Sequence, residues 1–167
     1  MVLAALLAIV LAASAAGAPS SGERRDVLAS RLLAQLNGVR AQHGLSSLRA
    51  SVTLRLAAAS HTREMATQGY FAHESADGTA PARRIARWYS PGGWALWSVG
   101  ENLLWSAPPL GAPNMVALWL ASPEHRQILL DPTWREIGIY AVRVASAPGV
   151  YAGRPVTIVT ADFGVRR

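Results

Sequence analysis

Two stretches near the C-terminus, Ile137 to Val144 and Val156 to Phe163, constrain the fold most, because both are rich in β-branched residues and carry apolar side chains on both faces. Ile137 and Ile139 fall on one side of the first stretch, and Val142 and Val144 on the other. A strand that is apolar on both sides must be covered on both sides. The turn residues Ser146-Ala147-Pro148-Gly149 and Gly153 between the stretches predict an antiparallel hairpin. An α+β fold follows, a three-layer α-β-α sandwich with a small antiparallel sheet in the middle.

The covering helices are legible as apolar stripes. Leu28, Leu32, Leu36 and Val39 repeat at helical spacing, and His43-Gly44 supplies a polar last turn followed by a glycine stop. Ser51 is placed to cap a second helix, whose stripe of Leu54, Ala58, His61 and Met65 ends at Gly69. His61 on that stripe reads as a hydrogen-bonded core residue and Glu64 as a solvated one. A shorter helix is predicted within Asp77 to Trp88, ending before Ser90-Pro91-Gly92-Gly93, and another over Asn114 to Ala121 after the loop from Ala107 to Pro113.

Of the 167 residues, 51% are apolar, enough for one sizeable core and too few for two ordinary domains. The absence of cysteine removes disulfides, thiolate metal sites and cysteine nucleophiles. The formal charge is +6, yet all sixteen basic residues are arginine, a bias that a GC-rich coding preference produces without selection for a polyanion. Nucleic acid is therefore not expected as a partner. The densest basic run, Arg83-Arg84 with Arg87, is predicted to form one helical face. If there is an anionic partner, phospholipid head groups or acidic wall polymers suit an exported protein better than DNA.

Met1 to Ala18 is uncharged, rich in alanine and leucine, and closes on small-residue sites at Ala13-Ser14-Ala15 and Ala16-Gly17-Ala18. It resembles a secretory signal peptide, although no basic residue precedes the apolar run; an uncleaved N-terminal anchor is the alternative. Residues 1–18 are thus assigned to the leader, 19–25 to a linker and 26–167 to the domain. The exported form is expected to begin near Ala16 or Pro19, and to be secreted or held at the cell envelope.

Familiar catalytic signatures are missing: no His-Glu-x-x-His pair, no Gly-x-Ser-x-Gly elbow and no phosphate-cradling glycine loop occurs. What remains is His73 after a helix, Glu101 at the end of an aromatic stretch, and His125 after Ser122-Pro123, each at the boundary of a predicted element. Two imidazoles and one carboxylate suffice for a divalent cation such as zinc with an open position. They equally suit a hydrogen-bonded structural cluster. Asn102 is expected to fix the loop after Glu101. Trp94, Trp97 and Trp105 flank Glu101 and either pack inward or line an aromatic groove for lipid, glycan or peptide.

The order Leu36-Asn37-x-x-Arg40, Ala59-x-His61-x-x-x-Met65, Gly69-Tyr70-Phe71-Ala72-His73, Asp77-Gly78, Gly100-Glu101-Asn102, Trp119-x-x-Ser122-x-x-His125-Arg126-x-Ile128-Leu129 and Ile137-Gly138 resembles the bacterial branch of the CAP superfamily. That superfamily comprises cysteine-rich secretory proteins, antigen 5 and pathogenesis-related 1 proteins. The resemblance runs from about Asp26 to Phe163. It implies a three-layer sandwich, secretion, and a cavity lined by two histidines and acidic residues, a role that carries over to His73, Glu101 and His125. A second glutamate of eukaryotic members corresponds here to Ser122, and the nearby Glu124 would point about 100° away from His125.

Two functions fit these residues. One is a monomeric extracellular module that binds a lipid, wall-derived or other small ligand, with a divalent cation at the cavity. The other is a metal-assisted or acid/base hydrolase, with Glu101 as base and the histidines as ligands or proton carriers. No nucleophile-base pair is evident in the sequence to favour the enzyme.

Overall fold

The computed structural model describes residues 21–167, with side chains from Val27 onward. The leader and Pro19-Ser20 lie outside the described residues. Helix α1 spans Ser21–Gln42, so Ser21 to Arg25, assigned above to a linker, are its first turn and more. Glu23, Arg24 and Arg25 are good helix formers, and a helix under way continues through them.

After α1 come β1 (Arg49–Ala50), α2 (Val52–Gln68), α3 (Pro81–Ala86), β2 (Trp97–Ser106), α4 (Ala112–Ala121), α5 (Pro123–Leu129), β3 (Glu136–Val144) and β4 (Val156–Arg166). The strands form one sheet in the order β1-β3-β4-β2. The predicted hairpin is β3–β4, antiparallel from Glu136 opposite Gly164 to Val144 opposite Val156. The sheet is not wholly antiparallel, however: β1 runs parallel to β3. Parallel neighbours need a long crossover, and a two-residue strand leaves no periodic trace in the sequence.

The sheet is covered on both faces, as the residues of β3 and β4 require. Leu28, Leu32 and Leu36 of α1 share a core with Met115 and Trp119 of α4, Leu129 of α5, and Ile137, Ile139, Val159, Ala161 and Phe163 of the sheet. On the opposite face, Met65 of α2 packs with Leu103 and Ile158, and Leu54 of α2 packs with Ile85 and Tyr89. The α2 stripe of Leu54, Ala58, His61 and Met65 is buried throughout. Ser51 sits at the α2 N-cap position but makes no capping bond; its hydroxyl instead lies 3.1 Å from that of Thr53.

One glycine sets the spacing between α2 and the sheet. A Cβ built on Gly138 would fall 2.0 Å from the Arg55 nitrogen and 2.1 Å from the Leu54 carbonyl carbon, so the helix rests directly on bare strand backbone. Backbone cannot step aside as a side chain can. Gly138→Ala is expected to destabilise the fold by about 3 kcal/mol, read as a lower urea midpoint at unchanged slope.

Candidate functional site

His73 lies in the connection between α2 and α3, and four successive or near-successive carbonyls hold that connection in place. Gly69 ends α2 at φ 74° and its carbonyl accepts from Val150 N at 2.9 Å. Tyr151 donates its hydroxyl to Tyr70 O at 2.8 Å. His61 Nε2 donates to Ala72 O at 2.9 Å, and Arg84 Nη1 to His73 O at 2.7 Å. Since a carbonyl only accepts, His61 carries its proton on Nε2. Burial pushes the His61 pKa down, so this ring is the neutral core residue expected of it. Glu64 is not merely solvated: its carboxylate accepts from Ala76 N at 3.2 Å and steadies the far side of the loop.

Glu101 is the centre of the site. Sequence placed it at an element boundary, yet it stands in the middle of β2, a strand whose apolar alternation is interrupted by Gly100-Glu101-Asn102 and so escaped recognition. Its side chain is 2% exposed. Oε1 accepts from His73 Nδ1 at 2.9 Å, and Oε2 is bound by Arg84 Nη2. Arg84 is buried as well, which corrects the expectation that Arg83, Arg84 and Arg87 share one exposed face. Facing inward from α3, it joins the loop carbonyl of His73 to the strand carboxylate of Glu101.

His73 is half exposed, and the hydrogen bond to Glu101 holds its pKa above the ordinary imidazole value. The sign of the linkage follows. The stabilisation His73 contributes is complete below its unfolded value of about 6.5 and is lost as pH rises through the higher folded value.

Asp162 was not singled out from sequence, although it is the one charged residue between Val156 and Val165. It lies directly across the strand pair from Glu101. Burial first, and then the Glu101 charge, push its pKa far up, which favours its neutral form. Neither of its oxygens meets a protein donor among the described residues. Two like charges side by side in this centre are therefore disfavoured.

His125 sits in the first turn of α5, which Ser122 caps by accepting from His125 N at 3.4 Å. Arg40 secures the other end of α5 by donating to Leu129 O at 2.7 Å. Asn102 does not fix a loop beside Glu101; from the other face of β2 its Nδ2 donates to His125 O at 3.0 Å. Glu124 accepts from the Ser122 hydroxyl at 2.9 Å and is exposed. Burial and the nearby His73 lower the His125 pKa. His73 and Glu101 are thus in direct contact, and His125 lies within the electric field of His73.

Among the described residues, no three His, Asp or Glu side chains converge as a metal-ligand set. Both Glu101 oxygens are committed, and the uncommitted nitrogens are His73 Nε2 and the His125 ring. Trp97 and Trp105 stand at opposite ends of β2, about 26 Å apart, and do not line a common groove with Trp94. Trp105 packs edge-on to Tyr151 at 5.3 Å. A cleft of about 300 Å³ opens elsewhere, among Leu33, Ser51, Arg55 and Ile139, and none of the three candidates lines it.

A model of the family described as CAP, the cysteine-rich secretory protein family, matches residues 33–163. The chain belongs to the CAP family. Solved structures share the CAP fold at low identity. An extracellular protein containing an SCP domain from Bacillus anthracis is 22% identical over 91% of this chain, with a TM-score of 0.68. This chain spans 45% of that protein's length. An outer surface protein from Borrelia burgdorferi is 22% identical over 83% of this chain and 92% of its own, with a TM-score of 0.62. A cysteine-rich secretory protein from Staphylococcus aureus is 17% identical over 84% of this chain and 39% of its own, at 0.58. No curated protein matches the chain in sequence.

Arg84 and Arg83 are adjacent and opposite in role, which gives a direct test. Arg84→Gln leaves the buried Glu101 without its cation and is expected to cost about 3–5 kcal/mol of stability. Arg83→Gln, on the exposed side, is expected to leave the urea midpoint nearly unchanged.

Proposed function

We propose that this CAP-domain protein acts outside the cytoplasm and binds a small extracellular ligand, a lipid or a wall-derived molecule, at His73 and His125. The observation that carries this reading is the commitment of Glu101. A general base must reach the proton it takes, and Glu101 is 2% exposed with its oxygens turned to Arg84 and His73. Its work is to fix the ring of His73 and present Nε2 to the surface. The leader-like Met1 to Ala18 supports export, as does likeness to proteins described as extracellular or outer-surface.

A divalent cation such as zinc would be held by His73 Nε2 and the His125 ring, with Glu101 on the opposite nitrogen of His73. A carboxylate behind a metal-bound histidine fixes the tautomer and raises its basicity. When bound, the cation would supply a Lewis-acidic anchor for a ligand carboxylate, phosphate or carbonyl. His73, Glu101 and His125 are then all parts of the site, the histidines as ligands and Glu101 as the support of His73.

The hydrolase reading retains one specific observation. The pKa of His73 is held up and that of His125 is held down, the pattern of an acid and a base at neutral pH. In that reading the histidines, rather than Glu101, move the proton.

Calorimetric titration with zinc, alongside mass spectrometry of molecules extracted from the purified chain, tests the proposal. Binding is expected to vanish in His73→Ala and in His125→Ala, and to weaken about 10–100-fold in Glu101→Gln. Zinc affinity unchanged in both histidine variants, with no co-purifying ligand, would dismiss the binding site. Turnover of extracted envelope material that survives Glu101→Gln would instead establish the histidine-pair hydrolase.

A further inference from the structure

From Trp88 to Gly100 the chain carries no charged side chain. Within this stretch Tyr89 turns inward and is fully buried, its hydroxyl donating to Glu136 at 2.6 Å. Trp97 is half-buried and donates its indole N–H to Tyr89 O at 2.9 Å. The remaining large side chains point out: Trp88 is 42% exposed, Trp94 46% and Leu96 36%. Large aromatic side chains ordinarily bury themselves, so two outward tryptophans in one short loop call for a reason.

The loop holds two of these side chains in a fixed position. Leu96 and Arg167 exchange backbone hydrogen bonds at 2.8 and 3.1 Å, extending the β2–β4 pairing by one rung. The Arg166 guanidinium lies over the Tyr89 ring at 4.2 Å and over the Trp94 ring at 5.3 Å. Trp94 and Leu96 are therefore fixed at the end of the sheet where β2 begins and β4 finishes.

Cations frame the loop. Arg87 immediately precedes Trp88, Arg83 lies one helical turn earlier, and Arg167 pairs with Leu96; all three are exposed. Asp77 offsets Arg87 in part, and Glu136 faces Arg166 at 3.8 Å, which leaves the rim positive. Short helix α3 thus has two uses: Arg84 turns inward to Glu101, while Arg83 and Arg87 face solvent.

We propose that this end of the sheet docks onto an anionic lipid bilayer, with Trp88, Trp94 and Leu96 entering the headgroup layer and Arg83, Arg87 and Arg167 meeting phosphates. The chemistry selects this partner. Tryptophan favours the membrane interface, where one edge of the indole is apolar and the other wet. Arginines beside it gain from the negative surface potential of anionic lipid. A loop of Pro, Gly, Ala and Ser around an outward Trp has little bulk of its own to oppose insertion. The surface is distinct from the His73 site and does not depend on what that site binds.

Co-sedimentation of the full chain with phosphatidylcholine vesicles, with and without phosphatidylglycerol, tests the proposal. Binding is expected only with phosphatidylglycerol and to weaken as salt rises. Trp88→Ala with Trp94→Ala is expected to lower partitioning about tenfold or more, and Arg87→Gln about fivefold. Leu118→Ala, which removes an exposed apolar side chain on α4, is expected to change nothing. Thermal melts establish that each variant is folded, and Arg83→Gln with Arg167→Gln provides a second route should the tryptophan pair fail to fold. No sedimentation with phosphatidylglycerol vesicles would overturn the proposal, as would full sedimentation of the folded tryptophan or arginine variants.

Discussion

Glu101 is a carboxylate shut away from water in the middle of a strand, and such a charge survives only when cations and donors replace its hydration. Arg84 and His73 do so from outside the sheet, and across the strand pair burial and the Glu101 charge push the Asp162 pKa up. Each partner arrives from a different element: Arg84 from α3, His73 from the loop after α2, and Asp162 from β4. The carboxylate therefore specifies where those elements sit as well as how the site is charged. Arg84 extends the effect by donating to the His73 carbonyl, so the loop that carries the imidazole is tied to the same centre.

Much of the fold was legible because periodicity and burial agree there. The α2 stripe, the α1 stripe and the β3–β4 hairpin follow directly from apolar spacing, and all three are placed as that spacing requires. Strand β2 was hidden because its most important residues, Gly100-Glu101-Asn102, are the polar ones. Strand β1 was hidden by its length. Asn102 and Glu101 show what sequence adjacency conceals: neighbours on a strand point to opposite faces, so one serves the His73 side while the other secures α5.

The site was legible in its imidazoles and its carboxylate, and less so in what holds them. Nothing in Arg83-Arg84-x-x-Arg87 marks the middle arginine as buried, because helical phase in a six-residue helix is set by what it packs against. Arginines consequently serve two distinct uses. Arg40 and Arg84 are interior scaffolding whose guanidinium forks satisfy carbonyls and a carboxylate. Arg83, Arg87 and Arg167 face solvent around an uncharged, tryptophan-bearing loop. Net charge alone does not separate these roles.

The centre of this account is the pairing of a half-exposed imidazole with a buried carboxylate, and the His73 titration reports it directly. Imidazole NMR resonances of His73 followed against pH, in the parent and in Glu101→Gln, measure the field of that carboxylate at the ring. The account predicts a pKa above the ordinary value of about 6.5 with the proton on Nδ1 in the neutral form, falling back toward the ordinary value in Glu101→Gln. A His73 that titrates at or below that value, unmoved by Glu101→Gln, would contradict it.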